Sequence, residues 1–136
     1  MRSRRTERTY SHRSLFDKLG VVASLRVALI GKHDDAFVGQ LKAILTNPLA
    51  LRLRGSYDAI FLRVDRPGDL ARISTAASHL VPNGALWILH PKGRGAAPSD
   101  GEVRAAGLAA GLVDNKISAY SETHTATRYV IPLRRR

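Results

Sequence analysis

Apolar residues along the chain fall into two kinds of pattern: nearly continuous runs of strand length, and stripes spaced as on one face of a helix. The continuous runs cover residues 25–31, 57–64 and 84–91. A strand of a parallel sheet is covered on both faces, so it carries apolar side chains at nearly every position. The sequence therefore predicts three buried parallel strands.

Helical spacing fills the segments between and after these runs. One amphipathic stripe covers residues 38–45, and a second covers residues 70–81. Ser99 and Glu102 have the spacing of a capping box, which predicts the start of a third helix. The face of that helix at 103–111 is made of small residues, which let a helix backbone lie close to a sheet.

The remaining segments predict short elements at the margins of the fold. Residues 14–20 indicate a short helix, with Ser14 as its N-cap. Residues 49–55 alternate apolar and polar side chains in their second half, which predicts an edge strand. Residues 115–122 and 125–133 alternate in the same way and predict a hairpin.

The order of these elements predicts an α/β protein, a three-layer α/β/α sandwich with a Rossmann-like, mostly parallel sheet and a C-terminal antiparallel hairpin. With 136 residues the chain is long enough for one core. We expect a single α/β domain over residues 14–133, a basic and disordered arm at 1–13, and a basic tail at 134–136. The chain has no cysteine and no apolar run of bilayer length, so we expect no membrane association and a cytoplasmic protein.

The net charge of +11 is concentrated at the two ends of the chain. Residues 1–13 hold five arginines and one glutamate, and three more arginines end the sequence. We interpret these charged ends as solvated arms. An alternative is that they bind nucleic acid in an accessory role, because basic arms hold polyanions through counterion release. The arginines concerned are Arg2, Arg4, Arg5, Arg8, Arg13, Arg134, Arg135 and Arg136.

Several motifs together resemble known sequences. The Tyr57-Asp58 start of an apolar strand, the Pro-Asn-Gly turn before GALWILHP and the closing hairpin are similar to a reduced class I methyltransferase fold. The segments LFDKLG, LWILHPK, SDGEVRAAGLAAGL and TATRYV resemble a bacterial family known as a domain of unknown function, number three-zero-five-two. This resemblance implies a fold and a bacterial origin, and it implies no activity.

A site for S-adenosylmethionine in such a fold needs a glycine-rich loop after the first strand and an acidic residue at the end of the second. The loop here reads GKHDD with Gly31 as its single glycine, and Arg54 stands near the end of the second predicted strand. Both departures disfavour S-adenosylmethionine and leave the cofactor unassigned. The five histidines lack the spacing of metal ligands, so no metal is predicted either.

Polar residues at the ends of the predicted strands form the one candidate site. In open parallel sheets ligands bind beyond the carboxyl ends of the strands, here at Lys32 and His33, at Asp65, and at His90 and Lys92. The runs before Lys32 and His90 are both central in character, so we expect their ends to be neighbours. Lysines and imidazoles near a helix N-terminus suit a phosphate or a carboxylate.

These observations predict a non-catalytic Rossmann-like module that binds a small anion or a partner, with no catalytic residue assigned. A diverged nucleotide-dependent transferase, similar to the methyltransferases, is the first alternative. Accessory binding of nucleic acid through the arginine-rich ends is the second.

Overall fold

A single mixed sheet of five strands organises the protein, with helices on both of its faces. The computed structural model describes residues 15–136. The predicted arm at 1–13 and the predicted N-cap Ser14 lie outside the described residues. The domain can therefore be followed from the short helical segment at 15–18 to the last residue.

The strands run in the order β1-β2-β3-β5-β4 across the sheet. β1, β2 and β3 are parallel, and β5 is antiparallel to both β3 and β4. The three predicted parallel strands and the C-terminal hairpin are thus confirmed. The sheet is mixed rather than mostly parallel, because the hairpin contributes as many pairings as the parallel strands. Their bounds are β1 Val27–Ile30, β2 Tyr57–Arg63, β3 Leu80–Pro91, β4 Val113–Ala119 and β5 His124–Val130.

Three α-helices connect the strands. α1 covers Asp35–Ile44, α2 covers Arg72–Ala77 after a 3-10 turn, and α3 covers Asp100–Ala109. The capping box predicted for α3 is confirmed: the amide of Glu102 donates to Ser99 Oγ at 3.2 Å, and the amide of Ser99 donates to Glu102 Oε1 at 3.0 Å. No helix within residues 15–136 is long and apolar enough to span a membrane.

Alternate residues of the strands point to opposite faces, so the sheet separates two apolar layers. α1 and the segment at 15–18 cover one face, called here the α1 face, and α2 and α3 cover the other, the α3 face. The α1 face is built on Leu29, Phe61, Trp87 and Leu89 with Phe37 and Leu41. The α3 face is built on Ile60, Leu62, Leu86 and Ile88 with Ile73 and Val103.

The predicted edge strand at 49–55 is wrong. Its single pairing is a parallel bridge between Ala50 and Ala28 of β1. Beyond that bridge the Tyr57 hydroxyl accepts from the amide of Arg54 at 3.0 Å and donates to the carbonyl of Arg52 at 3.0 Å. A side chain therefore satisfies the backbone groups that a sheet ladder would otherwise satisfy, and the segment curls away after one bridge.

The predicted helix at 70–81 extends too far. α2 ends at Ala77, and Leu80 is already the first residue of β3, opposite Tyr57 in the register. Leu80 is buried in the same apolar layer as Ile73 of α2. An apolar side chain reaches this layer equally well from the end of a helix or the start of a strand, so the stripe does not mark the boundary.

The C-terminal arginines contact the domain. Residues Leu133–Arg135 form a 3-10 turn. Arg135 Nη1 donates to the carbonyl of Gly111 at 3.4 Å, and Arg136 Nε donates to the carbonyl of Ile131 at 2.7 Å. Both side chains are exposed and hydrogen-bonded at the same time, so the basic tail follows the surface of the domain.

Gly107 shows why α3 carries small residues. It is buried, and a Cβ placed on it would overlap the ring of Tyr129, a side chain that is itself only 1% exposed. The absence of a side chain lets α3 lie directly on β5. The interpretation of this glycine as a packing residue is confirmed.

Replacing Gly107 with alanine therefore tests the contact between helix and sheet. We expect Gly107→Ala to lower the free energy of unfolding by about 1–3 kcal/mol through overpacking, although alanine favours helix. Gly101→Ala in the same helix is the matched control, because its nearest neighbour would be Ser99 Oγ at 4.0 Å. This control should stabilise by up to about 1 kcal/mol. Urea unfolding of both variants measures the difference, and equal effects would contradict the packing role.

Candidate functional site

The path of the chain around β1 marks the most favourable place for a ligand. After β1 the chain passes through α1 and returns to β1, where Ala50 forms a bridge on the edge that faces away from β2. It then crosses to β2, which pairs with the other edge of β1. The connections therefore change direction at β1. Ligands of open α/β sheets bind outside the carboxyl ends of the strands at such a reversal. The loop 31–34 occupies this position.

Gly31 gives the loop a shape that other residues cannot adopt. Its φ is +94°, in the left-handed region, and a Cβ at this position would lie 2.9 Å from Cβ of Arg63. The end of β1 therefore lies directly against the end of β2. Only glycine satisfies both the backbone conformation and the close approach.

His33 fastens the same loop to the sheet. Its Nε2 lies 3.0 Å from the carbonyl oxygens of both Ile30 and Phe61, so Nε2 carries a proton and donates to these acceptors. The ring stacks on Phe37 of α1, with centroids 6.0 Å apart. Burial lowers the pKa of His33, so the neutral imidazole is favoured. His33 was predicted to bind an anion, but its Nε2 donates to backbone carbonyl groups instead.

A chain of polar contacts begins beside Gly31 and crosses to the hairpin. Arg63 Nε donates to both oxygens of Asp65, at 3.1 and 3.0 Å. His124 Nε2 donates to Asp65 Oδ1 at 2.6 Å, and His124 Nδ1 lies 2.8 Å from the hydroxyl of Thr123. We call Arg63, Asp65, Thr123 and His124 the edge cluster. Its order of hydroxyl, imidazole and carboxylate is the arrangement that moves a proton in many enzymes.

Asp65 is the charged centre of the edge cluster. Partial burial raises its pKa, but the hydrogen bonds from His124 and Arg63 lower the pKa more strongly, so the net shift is downward. The carboxylate is therefore ionised at neutral pH and favours a proton on His124 Nε2. This leaves His124 Nδ1 as the nitrogen that accepts from Thr123.

Tyr120 connects the hairpin to the same edge of the sheet. Its hydroxyl donates to Asp34 Oδ2 at 3.3 Å, just before α1, and its ring contacts that of Phe37 with centroids 5.3 Å apart. Burial, with the charge of Asp34, raises the pKa of Tyr120, so the phenol stays protonated. The hairpin is thereby attached to the loop that follows β1.

His90 lies on the other side of the sheet. Its Nε2 is 3.0 Å from Thr127 Oγ1, and its Nδ1 is 3.5 Å from Asp100 Oδ1 at the start of α3. The residue is 3% exposed, and burial lowers its pKa. His33 contacts the α1 face and His90 the α3 face, so the structure does not bring the two predicted imidazoles together. Lys32 and Lys92 are both exposed.

The expectation that the strand ends before Lys32 and His90 are neighbours is wrong. β2 lies between β1 and β3, and Leu62 pairs with Ile30 on one side and with Ile88 on the other. Both runs are apolar for the same reason, burial on two faces, and this property does not tell which strands are adjacent.

Sequence reasoning placed Asp65 at this edge but missed its partners Arg63 and His124, and it also missed Thr123 and Tyr120, which contact His124 and Asp34. The antiparallel strand β5 starts where the parallel strands end, with His124 opposite Pro91. A hairpin paired to the last parallel strand brings its turn to the carboxyl edge. That topology is the signal that could have assigned His124 to the site.

Comparisons with solved structures define the fold. The magnesium protoporphyrin IX methyltransferase of Synechocystis PCC 6803 with bound SAM superposes with a TM-score of 0.61 at 14% identity, over 93% of this chain and 79% of that one. A methyltransferase from Pyrococcus furiosus gives 0.57 at 12% identity, over 87% and 80% of the two chains. The ribosomal protein L11 methylase of Lactobacillus delbrueckii subsp. bulgaricus gives 0.56 at 13%, over 88% and 77%.

The protein therefore has the methyltransferase-like Rossmann fold, as the resemblance implied. No protein-family model and no curated protein matches the chain. Assignment to the family of unknown function stays a prediction.

The residues at the end of β1 do not fit S-adenosylmethionine in the usual way. Gly31 is the single glycine of its loop, and His33 is folded back onto the carbonyl of Ile30. The segment that should supply a ribose-binding carboxylate is not a strand, and the amide of Arg54 is bonded to Tyr57 instead. Within residues 15–136 no three histidine, aspartate or glutamate side chains are placed to hold a metal ion.

The buried imidazole of His90 predicts a pH dependence of stability. Because burial lowers the pKa of His90 below 6.5, there is a pH range below 6.5 in which the unfolded chain binds a proton at His90 and the folded protein does not. Stability is therefore complete above pH 6.5, falls as the pH drops below it, and stops falling below the folded-state pKa. His33 adds to the effect with the same sign.

We expect His90→Gln, which retains a partner for Thr127, to flatten this fall. Urea unfolding of the variant and the unchanged protein at about pH 8 and about pH 5 measures the difference between the two losses. Equal losses of stability in both proteins would contradict the assignment of the effect to His90.

Proposed function

We propose that the protein is a nucleotide-dependent transferase of the methyltransferase-like fold whose cofactor loop has diverged. The loop that starts at Gly31 carries this proposal, because it lies at the reversal of the chain and leads directly into α1. Solved neighbours of the same fold hold SAM or SAH, as in the Synechocystis enzyme. We place the nucleotide of this protein at the corresponding end of β1.

Charge favours a nucleotide that carries phosphate. Lys32 is exposed in the loop and supplies a cation there, whereas Arg63 beside Gly31 is already paired with Asp65. The ammonium group of a lysine is a compact positive charge that suits a phosphate oxygen. The first amides of α1 add partial positive charge beside the loop, and they act against the carboxylates of Asp34 and Asp35 at the same helix terminus.

The edge cluster supplies the chemistry that a transferase needs beside its nucleotide. Arg63 contacts Gly31 and also holds Asp65, so the loop and the cluster adjoin. In this proposal His124 Nδ1 accepts a proton from the acceptor group through the hydroxyl of Thr123. The ionised carboxylate of Asp65 stabilises the resulting imidazolium.

Nucleotide titration followed by amide chemical shifts tests the proposal. We expect ATP to shift the amides of residues 31–35, and we expect S-adenosylmethionine to bind more weakly than about 100 μM, equivalent to roughly −5.5 kcal/mol. Lys32→Ala should weaken ATP binding about tenfold, the effect of losing one charged hydrogen bond. Lys42→Ala, which removes an exposed cation from the last turn of α1, is the matched control and should leave the affinity unchanged.

Absence of ATP binding, or shifts confined to residues outside the carboxyl edge, would contradict a nucleotide site here. Tight binding of S-adenosylmethionine would retain the transferase assignment and contradict the argument from charge.

The two other functions predicted from the sequence have less support. A small-anion module at Lys32, His33, His90 and Lys92 requires both imidazoles to face one ligand, and they lie on opposite faces of the sheet. Binding of nucleic acid through the arginine-rich ends remains a separate proposal. Deletion of residues 1–13, with affinity for duplex DNA measured at two salt concentrations, tests it.

A further inference from the structure

A groove opens on the α1 face near the amino ends of β2 and β3, at the opposite end of these strands from Gly31. Lys18, Leu19, Trp87, Lys116 and Arg128 line its mouth, a cavity of about 270 Å³ that Asp17 also borders. A second cavity of about 170 Å³ shares Leu19, Trp87 and Arg128 with the first. It continues past Leu25, Ala59 and Ala85 and is also lined by Asp58 and Asn83, so the groove has a charged mouth and an inner part of mixed polarity.

Arg128 is the unusual residue of this groove. It is half-buried on β5, opposite Trp87 in the register, and Nη1 donates to Asn115 Oδ1 at 3.2 Å. Among the residues that the structure describes, no carboxylate forms an ion pair with its guanidinium. Burial and the like charge of Arg136 lower the pKa of Arg128. A partly desolvated cation without a counter-charge is less favourable than a solvated one, and an anion in the groove would compensate it.

Lys116 places a second cation at the same mouth. It pairs with Arg128 in the register of β4 and β5, and its Nζ donates to the carbonyl of Lys18 at 2.6 Å. This bond holds the ammonium group beside the cavity without neutralising it. Asp17 is the one acidic residue among those that line the mouth, so Lys18, Lys116 and Arg128 outnumber the carboxylates there.

We propose that this groove binds a small organic carboxylate. The ligand's carboxylate lies at Arg128 and Lys116, because the guanidinium fork matches two carboxylate oxygens. Its apolar body lies towards Leu25, Ala59 and Ala85. The two volumes are at or below the low end of the range for ligand pockets, so the ligand is about the size of one ring.

Thermal unfolding with benzoate as the probe tests the site. We expect benzoate to raise Tm in a concentration-dependent manner and benzamide, its uncharged counterpart, to leave Tm unchanged. Arg128→Met should raise Tm without ligand, because it removes a desolvated cation, and should reduce the affinity for benzoate at least about tenfold. A purely structural arginine would not combine these two effects. Arg72→Met, an exposed arginine on α2, is the matched control and should retain the response.

Lys116→Met provides a second test that leaves Arg128 in place, and it should also weaken the response to benzoate. An equal response to benzamide, or an unchanged response in both groove variants, would overturn the proposal. An equal response to sodium phosphate would overturn the choice of an organic carboxylate. Lys32→Ala should retain full benzoate binding, so the result is independent of the nucleotide proposal.

Discussion

Burial of β2 and β3 on both faces is the constraint on which the rest of this structure depends. Between Ala59 and Leu62, and between Ala85 and Leu89, the two strands carry only apolar side chains. Charged and polar residues are therefore restricted to the strand ends, where Asp58 and Arg63 mark the two limits of β2. Within β2 and β3 themselves, a site that needs charge can therefore form only at the strand ends.

The same constraint explains how much could be predicted. Two-sided burial leaves a local signal, a continuous apolar run, and the three parallel strands follow from it. The capping box of α3 is equally local, because Ser99 and Glu102 lie one turn apart. Leu80 was misassigned because helix and strand bury it in the same layer. The segment after Ala50 was misassigned because the hydroxyl of Tyr57, a nearby residue, satisfies backbone groups that a sheet ladder would otherwise satisfy.

The candidate site could be predicted only as far as its location. Strand ends are visible in the sequence, so Lys32, His33, Asp65, His90 and Lys92 were all placed at one edge. Which of them meet depends on strand order and on the face to which each side chain points. The bond between Asp65 and His124 joins residues 59 positions apart, and no local pattern marks it. The contact between Tyr120 and Asp34 spans 86 positions and is equally hidden.

The arginines at the two edges show how the same side chain serves different purposes. Arg63 has its counter-charge in Asp65, so its environment is complete and it acts by positioning. Arg128 has none among the described residues, so its environment is unfavourable until an anion arrives. A protein tolerates such a cost where function requires it. Removal of Arg128 should therefore improve the empty protein, whereas removal of Arg63 should damage it.

The two proposed sites lie on the same face of the sheet, yet they should act independently. Arg128 at the charged end of the groove and His124 of the edge cluster are four residues apart on β5, which separates them by about 13 Å. This distance exceeds the Debye length of about 8 Å at physiological ionic strength, so the interaction between the solvent-exposed charges of the two ligands is largely screened. The layer between them includes Phe61 and Leu89, and both side chains are fully buried. A close-packed layer transmits strain, so independence of the two sites requires that each ligand binds without displacing this layer.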